Sequence, residues 1–234
     1  MALVASIATY DKRVAFIRSS VESIVVQTGI DRALVMTGTP EVKEQAQSIC
    51  NGLPVEVVLV EEIGPGKKHL VTQFCSPNDM VITFDDDRIY PEGHAQFLAN
   101  ALLENECPMG LVGFQATVPL RPVRKGICDF LHGEYSWVYR AGWVDPTQII
   151  TYGNKPSCFA NDDVYLGWIF AKQNRQCLVL NDPNQEHQKL VKVNTEARAV
   201  AALRSSLESF RRMENVMRET FWTERPITVG KYRS

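Results

Sequence analysis

The chain has 234 residues, 45% of them hydrophobic and 22% charged, enough to bury a substantial core and far from the composition of a disordered segment. A formal net charge of −2 excludes a nucleic-acid grip built on bulk positive charge. No apolar run approaches the roughly 18 residues of a membrane span, and the apolar start lacks the basic leader of a signal peptide.

Residues 3–8 (LVASIA) read as a buried strand, and Phe16, Ile17, Val21, Ile24 and Val25 then recur at helical spacing up to Gln27-Thr28-Gly29. A second strand is expected over 32–36, a second helix over 41–50 with Pro40 at its start, and a third strand over 55–60. Gly64-Pro65-Gly66 breaks the chain before a short helix at 67–74, and 80–84 (MVITF) is a fourth strand. A helix over 91–106 turns Leu98, Leu102 and Leu103 inward, and 111–114 reads as a fifth strand. Strands alternating with helices predict βαβ units, hence an α/β fold with a mostly parallel sheet flanked by helices. From 115 to 159 the pattern loosens into aromatic and glycine-containing loops. It tightens again into a helix at 162–173, a strand at 177–180 and a long terminal helix within 194–217.

No linker divides the chain, so one domain is expected. Residues 1–114 would form its nucleotide-binding half and 115–190 its acceptor half. The terminal helix reads as structural, with peripheral attachment to an anionic membrane as the alternative. Six scattered cysteines form no CxxC pair and read as reduced structural thiols of a cytoplasmic protein.

The strongest chemical signal is Asp85-Asp86-Asp87, directly after the strand at 80–84. Ligands of parallel α/β sheets bind outside the carboxyl ends of strands. Crowded carboxylates repel one another unless a cation shares them, and hard oxygen donors favour Mg²⁺ or Mn²⁺. The alternative is a solvated acidic turn, with Arg88 its one nearby basic partner in sequence. A second acidic pair, Asp162-Asp163, opens the helix at 162–173. It reads either as dipole-complementing caps or, facing the same cleft, as a base for an acceptor hydroxyl. A first-turn position is expected to favour the ionised form of Asp163. Gly64-Pro65-Gly66-Lys67-Lys68 lacks Walker or Rossmann spacing, but its lysines at a helix start can approach phosphate; an exposed turn is the alternative.

These segments together resemble the GT-A nucleotide-sugar glycosyltransferases, most closely glycosyltransferase family 2 and its small relatives, over about residues 3–190. The run Ile7-Ala8-Thr9-Tyr10-Asp11-Lys12-Arg13 is similar to the family's first strand and helix around the nucleotide, which implies donor contacts from Thr9, Tyr10 and Arg13. Lys68 falls on the lysine of a Gly-Pro-x-x-Lys segment, and Asp85-Asp86-Asp87 on the DxD motif. The resemblance implies a metal on Asp87 and Asp85, with Asp85 and Asp86 also facing the donor. Asn161-Asp162-Asp163-Val164-Tyr165-Leu166-Gly167 is similar to the acidic segment that supplies the base, which implies Asp163, with Asp162 second. The usual Glu-Asp of that segment is absent. His187 matches a histidine that some GT-A enzymes use as a further metal ligand; a lone surface histidine is the alternative.

The implied activity is metal-dependent, inverting transfer of a sugar from a nucleoside-diphosphate sugar, UDP-sugar favoured, to a hydroxyl of a glycan or other acceptor. Trp137, Tyr139 and Trp143 read either as core or as an acceptor platform. Competing readings are a sugar-nucleotide pyrophosphorylase, which would want a glycine- and arginine-rich loop after the first strand, and a non-catalytic carbohydrate-binding protein. A dehalogenase-type phosphatase would carry its nucleophilic aspartate after the first strand, not the fourth.

Overall fold

The computed structural model describes residues 1–115, 121–155 and 162–192. In the first half, β1 (Leu3–Ala8), α1 (Ile17–Val25), β2 (Arg32–Thr37), α2 (Pro40–Ile49) and β3 (Glu56–Leu59) alternate, as the hydrophobic periodicity predicts. Thr39 caps α2 by accepting the Val42 amide at 3.3 Å, with Pro40 in the first helical turn. A 3₁₀ helix over Gly66–Phe74 leads to β4 (Met80–Asp85), the two-residue β5 (Arg88–Ile89) and α3 (His94–Asn105).

Short strands follow: β6 (Met109–Gly110), β7 (Gly113–Gln115), β8 (Arg121–Val123), β9 (Gly126–Cys128), β10 (Phe130–Leu131) and β11 (Trp137–Arg140). After a 3₁₀ turn at Gly133–Tyr135 precedes β11, the chain continues through α4 (Pro146–Gly153), α5 (Asp162–Lys172), β12 (Cys177–Val179) and β13 (Val191–Lys192).

Eight strands form one mixed, mostly parallel sheet in the order β3-β2-β1-β4-β11-β6-β12-β9. Side chains alternate across it. Leu3, Ala5 and Ile7 pack with Ile17, Val21 and Ile24 of α1 and with Leu98 and Leu102 of α3, while Val4 joins the core of α5 on the opposite face. Helix α5 is buried almost all round, from Val164 to Phe170, between the sheet and β10.

The loosened segment proves to be strand-rich. Strand β11 lies antiparallel between β4 and β6, with Val138 opposite Ile82 and Met109. The strand expected at 111–114 divides into β6 in the main sheet and β7 in a separate three-stranded sheet with β8 and β10. Five described cysteines are unpaired thiols, as expected. Cys158 and the helix expected at 194–217 lie outside the described residues. Among the described residues no helix is long and apolar enough to cross a membrane.

Candidate active site

Parallel pairing of β1 with β4, with Ala8 opposite Asp85, sets the carboxyl ends of the two strands side by side. The turn after β1 therefore folds against the three aspartates. Arg13 Nη1 lies 2.8 Å from Asp86 Oδ1 and 3.4 Å from Asp87 Oδ2, with its guanidinium over the Tyr10 ring. Asp87 also lies 3.8 Å from Arg88. The carboxylates are thus matched by cations from remote parts of the chain, correcting the expectation that Arg88 is their one basic neighbour.

Lys68 supplies the central tie. In a 3₁₀ helix, with three residues per turn, neighbouring side chains diverge by about 120°. Lys67 accordingly points to Glu62, with Nζ 3.0 Å from both carboxylate oxygens. Lys68, only 3% exposed, lies 3.2 Å from Asp85 Oδ1 and 3.1 Å from Asp162 Oδ2. Burial disfavours the Asp85 anion, but the Lys68 ammonium outweighs it and holds the group below the usual carboxylate range.

The same ammonium organises α5. Burial also opposes ionisation of Asp162, yet Lys68 and His69 hold it well below its ordinary value. His69 Nε2 lies 3.4 Å from Asp162 Oδ2, and Nδ1 lies 2.9 Å from the Tyr139 hydroxyl. Burial lowers the His69 pKa, so its ring is neutral. We assign Nε2–H toward Asp162, leaving Nδ1 to accept the tyrosine proton.

Asp163 behaves oppositely. Burial, reinforced by the Asp162 anion, pushes it up to about 6 despite its first-turn position. The helix dipole is outweighed. Each carboxylate oxygen accepts one N–H: the Gly133 amide reaches Oδ2 at 2.8 Å, and the Trp137 indole Nε1 reaches Oδ1 at 3.0 Å. A Cβ on Gly133 would stand 2.6 Å from Asp163 Oδ1 and 3.1 Å from Lys68 Nζ, so glycine is required for this close approach.

These groups line one cleft of about 850 Å³, within the range of small-molecule sites. Tyr10, Arg13, Lys68, Asp85, Asp86, Asp87, Asp162 and Asp163 all reach its wall. Two expected site residues do not. Thr9 is buried behind the wall, and His187 stacks on Phe97 of α3 with ring centroids 4.3 Å apart. Asp86 is only 3% exposed, so its role is to hold Arg13. Glu134, paired to Arg88, and Gly133 escaped sequence reading, whereas Trp137, read there as core or acceptor platform, is fully buried core whose indole reaches Asp163.

The lining carries nine carboxylates (Asp11, Glu41, Glu62, Asp85, Asp86, Asp87, Glu134, Asp162, Asp163) against four cationic side chains (Arg13, Lys67, Lys68, Arg88). A diphosphate alone would be repelled. Among the described residues no three potential ligands gather into a ready-made metal nest. The donor set instead fits an ion that arrives with its substrate, because Mg²⁺-type ions take one or two carboxylates and complete their shell with phosphate and water. Asp87 and Asp85, both part-exposed in the cleft, are suitable donors.

No protein-family model matches the chain, and no curated protein matches it by sequence. Solved structures match by fold. A cytidylyltransferase from Leptospira borgpetersenii aligns over 99% of this chain and 100% of its own, with a TM-score of 0.58 and 9% identity. The 4-diphosphocytidyl-2C-methyl-D-erythritol synthase from Anaerococcus prevotii covers 86% of this chain and 97% of its own, with a TM-score of 0.54 and 11% identity. S. aureus TarS covers 78% of this chain but 35% of its own, with a TM-score of 0.51 and 16% identity. The chain therefore has a GT-A-like, Rossmann-like α/β fold.

Proposed function

We propose that the chain transfers a sugar from a nucleoside-diphosphate sugar, UDP-sugar favoured, to a hydroxyl of a glycan or other acceptor. The observation that carries this reading is Asp163, a cleft carboxyl that burial and Asp162 push up to about 6. An acceptor hydroxyl must lose a proton as it attacks, and a base titrating just below the working pH is suited to take it. As the acceptor oxygen bonds to the anomeric carbon, the bond to the diphosphate oxygen breaks and its electron pair leaves with the diphosphate. The acceptor proton passes to an Asp163 oxygen. Attack opposite the leaving group inverts the configuration.

Asp162, kept ionised by Lys68, holds α5 against the strand-end carboxylates and raises the proton affinity of its neighbour. Tyr10 and Arg13 line the cleft and would meet the donor. We further propose that Mn²⁺ or Mg²⁺ accompanies the donor, held by Asp87 and Asp85. The chemistry such an ion supplies is neutralisation of the charge developing on the departing diphosphate.

Nucleotidyl transfer to a sugar phosphate is the second reading, favoured by the cytidylyltransferases among the structural neighbours. A phosphate nucleophile is already ionised at neutral pH, so it needs no base, and the anionic lining would oppose it. The test is kinetic. Asp163→Asn should retain nucleotide-sugar affinity while losing a factor on the order of 10² to 10⁴ in turnover. Near-normal turnover in that variant would reject the reading.

A further inference from the structure

We propose that Trp137 is a positioning residue for Asp163: its indole N–H and the Gly133 amide form a two-donor cradle that fixes the carboxylate in the cleft and favours its ionised form. This inference rests on the role of Asp163 as acceptor base. Three observations support it. Trp137 is fully buried in the sheet, where β11 pairs with β4 and β6, so its ring cannot swing away without opening the core. Its own backbone amide donates to Thr83 Oγ1 at 3.1 Å, locking the start of the strand two residues from Asp85. Its Nε1 and the Gly133 amide reach different oxygens of the same carboxylate, at 3.0 and 2.8 Å.

A single hydrogen bond leaves a carboxylate free to rotate about its last torsion. Donors on both oxygens fix that plane. They also favour the anion, because a protonated carboxyl must turn one oxygen from acceptor into donor. The other charged groups around Asp163 are Asp162, which opposes ionisation, and Lys68, which favours it; His132 also faces the carboxylate, and its protonation would favour ionisation. Without the indole donor, burial and Asp162 would push the Asp163 carboxyl further up. Trp137 also fills the core against Phe170, with ring centroids 5.9 Å apart, so deleting the ring would confound packing with chemistry.

The decisive perturbation therefore changes one atom. Site-specific incorporation of 3-benzothienylalanine at position 137 replaces the indole N–H by sulfur and keeps the bicyclic shape. Trp137→Phe provides a second, cruder loss of the donor. The activity-independent readout is the ¹³C carboxyl titration of Asp163, assigned by its disappearance in Asp163→Asn. The midpoint should move to higher pH by about one unit, the scale expected for one charge-assisted hydrogen bond. In the assay for nucleoside diphosphate released from a UDP-sugar panel, turnover should fall several-fold at pH 6 and recover toward pH 8, with KM for the donor unchanged.

An unmoved carboxyl titration in the benzothienyl protein overturns the cradle, whatever the activity. So does a turnover loss that is equal at pH 6 and pH 8. A shifted titration in a protein that never turns over nucleotide-sugar would support the cradle and reject the transfer reading, so the two failures are distinct.

Discussion

Replacing Lys68 by methionine removes one ammonium and keeps an unbranched side chain of similar length. Lys68 is 3% exposed, and its ammonium stands 3.2 Å from Asp85 and 3.1 Å from Asp162. Removing one partner of a buried ion pair costs about 3–5 kcal/mol, because the remaining charge is stranded without water or a counter-ion. Asp162 is buried but Asp85 is part-exposed in the cleft, so a loss within that range rather than above it is expected. For a chain of this size the loss corresponds to a fall in Tm of about 6–20 °C.

The pH dependence fixes the cause. In the native protein the folded pKa values of Asp85 and Asp162 are depressed. Their contribution is therefore present above the unfolded carboxyl value of about 3.9 and is lost as pH falls through the folded values. In Lys68→Met both anions lose their strongest partner, and burial is then opposed only by His69 at Asp162 and Arg13 at Asp85. The deficit relative to wild type should be largest near pH 7 and shrink toward pH 4. Urea unfolding followed by circular dichroism at pH 4, 5.5 and 7 measures it. A loss below about 1 kcal/mol at pH 7, or one independent of pH, would refute Lys68 as the tie between the acidic segments.

Other consequences are open to direct measurement. Wild-type turnover should rise through about pH 6 as Asp163 ionises and then level, and Asp163→Asn should lose that limb with the rate. Calorimetric titration with UDP should show binding that a chelator weakens and Mn²⁺ restores, and Asp87→Ala should lose the Mn²⁺-dependent part. Gly66→Ala should lower stability by about 1–3 kcal/mol in a thermal melt, because a Cβ there would fall 1.5 Å from the hydroxyl of buried Tyr165.

The α/β order was legible because its signals are local. Buried runs such as MVITF and the spacing of Ile17, Val21 and Ile24 carry their own period. Strand β11 was not, since WVYR is buried without clear alternation and its antiparallel place depends on partners more than 25 residues away, such as Ile82. The acidic segments were visible as residues, but their electrostatics were not. Arg13 meets Asp86 across 73 positions, and the donors to Asp163 come from 30 and 26 positions upstream. A helix-dipole argument made from neighbours alone therefore favoured the wrong direction for Asp163. The motif resemblance singled out Lys68, but not its partners: the 3₁₀ geometry sends the two lysines after Gly66 to different acids.

The central claim is that this cleft transfers a sugar to a hydroxyl rather than a nucleotide to a phosphate. ³¹P NMR reads the two outcomes in parallel reactions with Mn²⁺: a panel of nucleoside-diphosphate sugars with simple hydroxyl acceptors, and CTP with sugar phosphates. The account predicts free nucleoside diphosphate in the first, absent with Asp163→Asn, and no pyrophosphate in the second. Pyrophosphate released from CTP together with a new nucleotide-sugar signal, and no reaction in the first tube, would contradict it.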